Sequence, residues 1–225
     1  MVASADARAT TARAYDDIVD DYVRRTTDLP DDFVRFRSRF VARVRRGGRV
    51  ADIGCGPGRD AAVFAAAGLR VAALDASQGM AARTHRAGTP VALADMRHPP
   101  FRDGAVDGIW SAAALLHVPR AEVPATVRGW RRCLAADGVL GLSTAIGDHE
   151  GWEPVNDRRA TPPAQEPVHD RAEAPPGALR RWFVYHRPDA LLALLDEAGF
   201  EVISSAERAT HRRWLQVIAR ARGPR

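Results

Sequence analysis

The sequence contains no lysine, so all 33 of its Lys/Arg residues are arginine. A lysine that forms a Schiff base or acts as a general base is therefore excluded. Only two cysteines, Cys55 and Cys133, are present; they lie far apart in the chain, which excludes a disulfide framework and favours a cytoplasmic setting. The cysteines and the seven histidines show no ligand spacing such as C-x-x-C or H-x-x-x-H, so we expect no metal.

Long apolar runs are also missing. None reaches the roughly 18 residues that suggest a transmembrane helix, so we expect no membrane association. The first residues, MVASADARATTARA, lack the apolar stretch of a secretory signal. The formal net charge of +5 comes from 33 basic and 28 acidic residues that are interleaved, as in YDDIVDDYVRRTTDLPDDF. Such mixing favours a solvated surface and disfavours nucleic acid as a partner.

Short β-branched segments alternate with alanine-rich helical segments in the middle of the chain. This alternation predicts an α/β fold with a parallel sheet and helices on both faces. The predicted strands are RVADI (49–53), RVAALD (70–75), PVALAD (90–95), VDGIWS (106–111) and VLGLST (139–144). The predicted helices between them cover residues 60–68, 77–88 and 120–134.

The C-terminal part follows a different order. A helix over residues 189–200 precedes two strands, 201–208 and 212–221, which are joined by a very short connection. That connection predicts an antiparallel hairpin. The complete prediction is a seven-stranded, mostly parallel sheet with a C-terminal antiparallel hairpin at its edge.

Two regions lie outside this core. Residues 1–46 are predicted to form two helices, separated near Leu29 and Pro30, as a helical cap. Residues 147–180 hold six of the 15 prolines and are expected to be irregular, either as a functional lid or as a disordered loop. We expect one domain, in which residues 47–146 form the core and residues 181–225 form the last helix and hairpin.

The segment VADIGCGPGRD (50–60) places three glycines between a predicted strand and a helix. Glycine allows a ligand to approach the backbone closely, and a helix N-terminus offers free N–H groups, so the loop predicts a bound ligand. The dinucleotide fingerprint is G-x-G-x-x-G. Here the glycines are Gly54, Gly56 and Gly58, and Arg59 stands where that pattern needs its third glycine. This spacing disfavours a nicotinamide dinucleotide.

Acidic residues end the next two predicted strands. Asp75 could accept hydrogen bonds from both hydroxyls of a ribose, or it could cap the following helix, although Ser77 suits that role. Asp95 could accept a hydrogen bond from an adenine amino group, with Met96 packing near the ring, or it could be a turn residue. Because ligands of open α/β sheets bind at the carboxyl ends of the strands, these side chains are expected to meet there.

The strings DIGCGPG, LDAS, ADM and VDGIWSAAALLHVPR resemble the class I S-adenosylmethionine-dependent methyltransferases, as does the Tyr-Asp-x-Ile-x-x-x-Tyr pattern from Tyr15 to Tyr22. The similarity is greatest to the bacterial small-molecule branch, of the methyltransferase type 11/25 kind. It implies a Rossmann-like fold, S-adenosylmethionine as cofactor and S-adenosylhomocysteine as product. The cofactor-binding residues that it implies are Tyr22, Asp52, Gly54, Cys55, Gly56, Gly58, Asp75, Ala76, Ser77, Asp95, Met96 and Ser111.

By the same resemblance, the backbone around Gly54, Cys55 and Gly56 would hold the methionine part of the cofactor. Ser111 would lie beside the methionine end or the transferred methyl group. The string HPPF at 98–101 is similar to the N/D-P-P-Y/F signature of methyltransferases that modify exocyclic amines, but it follows the third strand instead of the fourth. We therefore interpret it as a rigid turn, which argues against amino-methylation of DNA by the device that those enzymes use.

The sequence identifies the residues that would contact the methyl acceptor less clearly than it identifies the cofactor-binding residues. His117, just past the fourth strand, could remove a proton from a hydroxyl or amine, or it could be a partly buried histidine bonded to a neighbouring loop. An aromatic cluster could form the acceptor pocket, or it could be a lid packed on the core. The candidate substrate residues are Tyr15, His149, Trp182, Tyr185 and His186.

The sequence thus predicts an enzyme of class EC 2.1.1 that moves a methyl group to an O or N atom of a small molecule by in-line displacement. Natural-product biosynthesis is the expected setting, and the chain is expected to be a monomer or a homodimer. Two alternatives stay open: a methyltransferase acting on RNA or protein, and a non-catalytic S-adenosylmethionine-binding protein.

Overall fold

The computed structural model describes residues 4–155, 179–210 and 212–223. Its main sheet has seven strands in the order β3-β2-β1-β4-β5-β9-β8, and a separate two-stranded sheet pairs β6 with β7. The strands are β1 Arg49–Ile53, β2 Arg70–Asp75, β3 Val91–Leu93, β4 Val106–Ala112, β5 Leu134–Ala145, β6 Glu150–Pro154, β7 Arg180–Val184, β8 Phe200–Ala209 and β9 Arg213–Ala221.

The first five strands are parallel, while β9 pairs antiparallel with both β5 and β8. The predicted α/β fold with a C-terminal antiparallel hairpin is therefore confirmed. The helices are α1 Ser4–Asp16, α2 Val19–Thr26, α3 Asp31–Val41, α4 Arg59–Ala66, α5 Gln78–Arg86, α6 Val123–Cys133 and α7 Pro188–Glu197. Two 3₁₀ turns, Leu115–His117 and Arg120–Glu122, lie between β4 and α6.

The N-terminal region differs from the prediction, because three helices replace two. The break near Pro30 is present, and a second break separates α1 from α2 at Asp17 and Ile18. At this break the carboxylate of Asp16 accepts hydrogen bonds from the Ser77 hydroxyl, at 2.6 Å, and from the Gly79 amide, at 2.8 Å. The end of α1 is thereby attached to the start of α5.

The prediction that residues 147–180 are irregular was wrong for Glu150–Pro154, which forms a strand, and for Arg180, where the next strand begins. Glu150–Pro154 and Arg180–Val184 pair as an antiparallel ribbon, β6 with β7, and Trp152 lies opposite Trp182. The middle of the predicted lid, residues 156–178, lies outside the described residues. The pairing joins segments that are far apart in sequence, so a local pattern could not reveal it.

Two hydrophobic cores pack on the main sheet. In one, Phe33, Phe36 and Phe40 of α3 surround the buried Trp110 of β4. In the other, β4, β5 and β9 pack with α6 and α7, as seen in the buried cluster that contains Trp130. With both faces covered in this way, the carboxyl ends of β1, β2 and β4 are left as the place where a ligand can bind.

Candidate active site

A cleft of about 760 Å³ lies at the carboxyl ends of the parallel strands. The cleft is lined by Arg8, Thr11, Ala12, Tyr15, Tyr22, Gly54, Gly56, Asp75, Ala76, Ser77, Met80, Asp95, Met96, Arg97, Ala112, Ala113, Ala114, His117, Val118 and Pro119. Residues from the N-terminal helices thus face residues from four strand ends across one space.

The glycine loop lies where the sequence predicts it, between β1 and α4. Gly54 has a φ of 71°, and a Cβ there would lie only 2.3 Å from the Cβ of Ala114. Gly56 has a φ of 55° and lines the cleft. The nearest atom to a Cβ built on Gly56 would be a ring carbon of Tyr22, at 3.8 Å, so a ligand can come close to the backbone here. Both positions therefore require glycine, Gly54 for packing and Gly56 for an open backbone facing the cleft.

Asp75 ends β2 and lines the cleft. Its two carboxylate oxygens accept hydrogen bonds from the amides of Gly56, at 2.8 Å, and Ser77, at 2.9 Å. Burial raises the pKa of this carboxyl above its ordinary value. The helix-capping role belongs to Ser77, whose hydroxyl accepts from the Met80 amide at 3.1 Å. Because each carboxylate oxygen can accept more than one hydrogen bond, Asp75 retains capacity for ribose hydroxyls.

A second pocket of about 340 Å³ adjoins the first. It shares Tyr22, Gly54, Gly56 and Ala112 with the cleft, so the two pockets are adjacent. Its own lining residues are Thr26, Asp52, Cys55, Pro57, Arg59 and Asp60. This pocket is the more polar of the two and brings a carboxylate and a guanidinium to the same wall.

Asp52 and Arg59 are the charged groups of interest in this second pocket. Asp52 is buried, and its Oδ2 atom has no hydrogen-bond partner. Burial, followed by the nearby Asp60 carboxylate, raises the pKa of Asp52 well above its ordinary value. Arg59 donates to Asp60 and, from Nη1, to the Thr26 carbonyl at 3.3 Å. A buried carboxylate with a free oxygen favours a cationic partner.

Asp95 lines the cleft, but other side chains already engage its carboxylate. Arg97 donates from Nη2 at 2.6 Å and from Nε at 2.9 Å, and Arg8 of α1 lies 3.5 Å away. Burial raises the pKa of Asp95, but the hydrogen bonds to Arg97 outweigh burial and hold that pKa below its ordinary value. An adenine amino group would therefore have to share this carboxylate with two arginines.

His117 lines the cleft next to Tyr15. Its Nδ1 lies 2.7 Å from the Trp182 carbonyl oxygen, so Nδ1 carries the proton. Its Nε2, 2.9 Å from the Tyr15 hydroxyl, therefore accepts a hydrogen bond from that hydroxyl. Burial, and then the charge of Arg181, lower the pKa of His117 to about 3. The geometry corrects the expectation of a general base in favour of the alternative, a histidine that links loops.

Tyr22 lines both pockets and stands edge-on to Tyr15, with ring centroids 5.7 Å apart. Burial, and then the neighbouring Tyr15, raise the pKa of Tyr22 to about 12. Its hydroxyl is therefore a hydrogen-bonding group at neutral pH, and not a base. Tyr22 lies over Gly56 of the glycine loop, and Tyr15 lines the same cleft.

Two predicted cofactor residues do not line either pocket. Ser111 is fully buried in β4, and its Oγ atom lacks a hydrogen-bond partner. Since side chains alternate along a strand, Ala112 faces the cleft instead. Gly58, with a φ of 85°, precedes α4 and packs against Thr84. Its role in the structure is to start the helix, not to contact the cleft.

Of the five predicted substrate residues, only Tyr15 lines the cleft. Trp182 contributes its backbone, which bonds Thr11 and His117, while its indole packs on Trp152. Tyr185 is buried. The other two, His149 and His186, lie near the β6–β7 ribbon; His186 is buried, and its pKa is lowered by burial to about 4. The aromatic cluster is therefore mainly packing.

Sequence reasoning missed the arginines of this site. Arg8 and Arg97 line the cleft, Arg59 lines the second pocket, and Arg181 donates to the Tyr15 hydroxyl at 2.9 Å. Because arginine makes up all 33 basic residues, no single arginine stands out in the sequence. The signal for Arg59 was present, since it follows the glycine loop directly.

The sheet order, with a carboxylate at the end of β2 and a glycine loop after β1, defines a Rossmann-like nucleoside-binding fold. Residues 51–142 match the family model described as a methyltransferase domain. Residues 51–142 are therefore similar to a methyltransferase domain, and the sheet order agrees with that similarity.

Solved structures with the same fold include a Burkholderia thailandensis 1,6-didemethyltoxoflavin-N1-methyltransferase with its substrate and S-adenosylhomocysteine bound. It is 18% identical, has a TM-score of 0.74, and covers 99% of this chain and 92% of its own. The DhpI–SAH complex is 22% identical, with a TM-score of 0.71 and coverage of 99% and 100%. The [4+2]-cyclase SpnF is 18% identical, with a TM-score of 0.63 and coverage of 84% and 80%.

No helix in the described part of the chain is long and apolar enough to cross a membrane. Among the same residues, no group of three or more His, Cys, Asp and Glu side chains is arranged to hold a metal ion. Both cysteines are free and buried.

Proposed function

We propose that the protein transfers the methyl group of S-adenosylmethionine to an O or N atom of a small molecule. The observation that carries this proposal is the pair of adjacent pockets on either side of the glycine loop. One pocket presents Asp75 at the end of β2, and the other presents Asp52 and Arg59 beside the glycine loop. Together, the side chains of the two pockets suit a ligand in which a nucleoside is joined to an amino acid.

The described residues fit that cofactor group by group. The free Oδ2 of Asp52 suits the α-ammonium group, and the guanidinium of Arg59 suits the α-carboxylate. Asp75 suits the ribose hydroxyls, and the open backbone at Gly56 allows the chain between them to pass. Met96 lies beside Asp95, where adenine is expected.

When bound, the cofactor supplies an activated methyl group on a sulfonium. The protein's own task is to hold the acceptor in line with that methyl group, and orientation of this kind can contribute about 7–11 kcal/mol. The described residues supply a neutral His117 and a tyrosine whose pKa is about 12, and neither is suited to remove a proton at neutral pH. We infer that alignment carries most of the rate enhancement.

The proposal of a small acceptor is supported by how the cleft is covered. Helix α1 crosses it and is bonded to α5 through Asp16 and to the β6–β7 ribbon through Thr11 and Tyr15. A polymer would need that cover to be absent or displaced. The substrate named for the Burkholderia enzyme is also a small molecule.

We propose further that the chain works as one domain, with residues 1–46 as cap, 47–146 as cofactor-binding core, 147–180 as lid or loop and 181–225 as the closing helix and hairpin. The free cysteines fit a cytoplasmic enzyme. We also propose that the enzyme takes part in natural-product biosynthesis and that it acts as a monomer or a homodimer.

Calorimetry with S-adenosylhomocysteine tests the cofactor assignment. We expect Asp75→Ala to weaken binding by about tenfold or more, since it removes a half-buried acceptor for two hydroxyls. The matched control is Asp103→Ala, which removes an exposed carboxylate paired with Arg132. Equal affinities of both variants and the parent protein would contradict the binding scheme.

The class of acceptor needs a separate experiment. Purified protein is incubated with methyl-labelled S-adenosylmethionine and an extract of the source organism, and the products are separated by size. We expect the label in the small-molecule fraction. Label in RNA or protein would contradict the proposal and favour a macromolecular acceptor.

A further inference from the structure

Four residues belong to the walls of both pockets: Tyr22, Gly54, Gly56 and Ala112. They mark the place where the larger cleft meets the second pocket. Two of them have no side chain and one carries a single methyl group, so Tyr22 alone brings a polar side chain to this junction. A ligand that occupies both pockets must therefore pass the Tyr22 side chain.

The Tyr22 ring is held between Tyr15 and the glycine loop. Its Cε1 atom lies 3.8 Å from the point where a Cβ on Gly56 would be. Its ring stands edge-on to the ring of Tyr15, with centroids 5.7 Å apart, which is a favourable distance for an aromatic pair. A ring that is packed on two sides keeps its hydroxyl group at a fixed place beside the pockets.

The Tyr22 hydroxyl makes no hydrogen bond to another residue in the described part of the chain. The Tyr15 hydroxyl is the opposite case, because it donates to His117 Nε2 and accepts from Arg181 Nη1, both at 2.9 Å. A tyrosine hydroxyl that is removed from water usually finds a partner. The oxygen lone pairs and the proton of the Tyr22 hydroxyl are therefore free to interact with a ligand.

S-adenosylmethionine carries a positive charge on the sulfur atom that joins its nucleoside to its amino acid. The cleft offers Asp75 to the nucleoside, and the second pocket offers Asp52 and Arg59 to the amino acid. With the two halves bound in this way, the sulfonium lies where the pockets meet, beside Tyr22. The oxygen end of a hydroxyl dipole is attracted to a cation at such a place.

We propose that the Tyr22 hydroxyl oxygen contacts the sulfonium of S-adenosylmethionine, and that this contact makes the protein bind the donor more tightly than S-adenosylhomocysteine. This inference rests on the proposed function and names the residue that distinguishes the two forms of the cofactor. The product is a neutral thioether, so it gains nothing from the contact and is released more readily. Tyr22 is thus a specificity-determining residue.

The charges around Tyr22 are compatible with a bound cation. The two guanidinium groups near it each lie beside a carboxylate: Arg59 pairs with Asp60 at 3.0 Å, and Arg181 lies 4.0 Å from Glu153. Burial raises the pKa of Tyr22 to about 12, so its hydroxyl stays protonated at neutral pH. A neutral oxygen attracts the sulfonium without forming an ion pair, which keeps binding reversible.

Calorimetry with both forms of the cofactor tests the inference without knowledge of the acceptor. The Kd values for S-adenosylmethionine and S-adenosylhomocysteine are measured for the parent protein and for Tyr22→Phe, which removes only the hydroxyl group. We expect Tyr22→Phe to weaken the binding of S-adenosylmethionine about tenfold and to leave that of S-adenosylhomocysteine within about twofold. The preference for the donor, taken as the ratio of the two Kd values, then falls about fivefold or more.

Tyr15→Phe is the matched control, because it removes a hydroxyl from the same cleft that is already bonded to His117 and Arg181. Any loosening of α1 in this variant affects both forms of the cofactor alike, so the ratio of the Kd values should stay within about twofold of the parent value. Thermal unfolding without ligand checks the fold of Tyr22→Phe. Its Tm should equal that of the parent protein, because the lost hydroxyl has no partner in the described structure.

A second ligand separates the charge of the donor from its additional methyl group. In the nitrogen analogue of S-adenosylmethionine, a tertiary amine carries the methyl group, so this ligand is cationic at low pH and neutral at high pH. Comparison of the two proteins at each pH cancels the titration of their other groups. The parent protein should prefer the cationic form more strongly than Tyr22→Phe does. An equal preference in both proteins would overturn the inference, since the hydroxyl would then respond to the methyl group and not to the charge.

The failure of this inference and the failure of the proposed function give different results. Equal weakening of both forms of the cofactor by Tyr22→Phe, or no change in either, would overturn the inference and leave the proposed function intact. An equal loss of preference in Tyr15→Phe would overturn it as well, because the effect would not belong to the free hydroxyl. Absence of binding of both forms to the parent protein would contradict the proposed function itself.

Discussion

Asp52 is buried and His117 is half-buried beside the cleft, and the loss of water around each side chain favours its uncharged form. For Asp52 burial raises the pKa, and for His117 burial lowers it. The consequences differ because the partners differ. His117 has a hydrogen bond at each ring nitrogen, whereas one oxygen of Asp52 has no partner. The histidine is thus satisfied in the free protein, and the aspartate is not.

The lowered pKa of His117 predicts an acid-sensitive contribution to stability. An unfolded histidine takes up a proton below about pH 6.5, whereas the folded one stays neutral down to about pH 3. The unfolded state therefore binds more protons in this window, and the folded state loses stability as the pH falls through it. At pH 5 this destabilises the folded protein by about 1–2 kcal/mol relative to pH 8.

Denaturant unfolding at pH 8 and pH 5 measures this effect. His117→Gln should lose less stability between the two pH values than the parent protein does. The control is His85→Gln, because His85 is exposed on α5. The same pH dependence in His117→Gln and the parent protein would count against a buried neutral imidazole.

Among the secondary-structure elements, those with a strong local pattern were predicted well and those formed by distant pairing were not. β1, β2 and β4 are short β-branched segments bounded by turns, and their positions agree with the prediction. The β6–β7 ribbon was missed because its two strands meet across a long separation in sequence. The same holds for Arg181, whose contacts are with the distant residues Tyr15 and Glu153.

Helix α1 is the element on which closure of the site depends. Its last residue, Asp16, bonds the Ser77 hydroxyl and the Gly79 amide at the start of α5, which is equivalent to a helix cap supplied from another helix. Removing such a cap typically costs about 1 kcal/mol. Asp16→Ala should therefore loosen α1 and leave the sheet unchanged.

Hydrogen exchange measures this loosening directly. We expect amides of α1 to exchange about fivefold faster in Asp16→Ala, while amides of β1 and β4 keep their protection. The neighbouring exposed Asp17→Ala is the control. Uniformly faster exchange across the whole protein would show instead that Asp16 supports global stability.

At the scale of the whole molecule, the candidate site is assembled from three parts of the chain. The N-terminal helices supply Tyr15 and Tyr22, the parallel strands supply Asp52 and Asp75, and the ribbon supplies the backbone carbonyl that fixes His117. A ligand that fills the two pockets contacts the N-terminal helices and the ends of the parallel strands, but not the ribbon. Because only the folded protein brings these parts together, the binding energy of the ligand adds to the stability of the folded state.

This assembly predicts a thermal shift on cofactor binding. At a free concentration of S-adenosylhomocysteine 100 times its Kd, the folded state gains about 2.7 kcal/mol. For a chain of this size, that gain raises the Tm by about 5–10 °C. NAD at the same concentration should leave the Tm unchanged, because Arg59 replaces the third glycine of the dinucleotide pattern.

Asp52→Asn sharpens this test, because it replaces the buried carboxyl group with an amide of nearly the same size. Without ligand, the variant should be at least as stable as the parent protein. The reason is that burial makes the ionised form of the Asp52 carboxyl unfavourable, and an amide carries no charge. With S-adenosylhomocysteine, its thermal shift should be much smaller, because the α-ammonium group loses its anionic partner. Scanning calorimetry of both proteins with and without ligand measures the two effects together. A variant that is less stable alone but shows the full thermal shift would mean that Asp52 supports the fold and does not contact the cofactor.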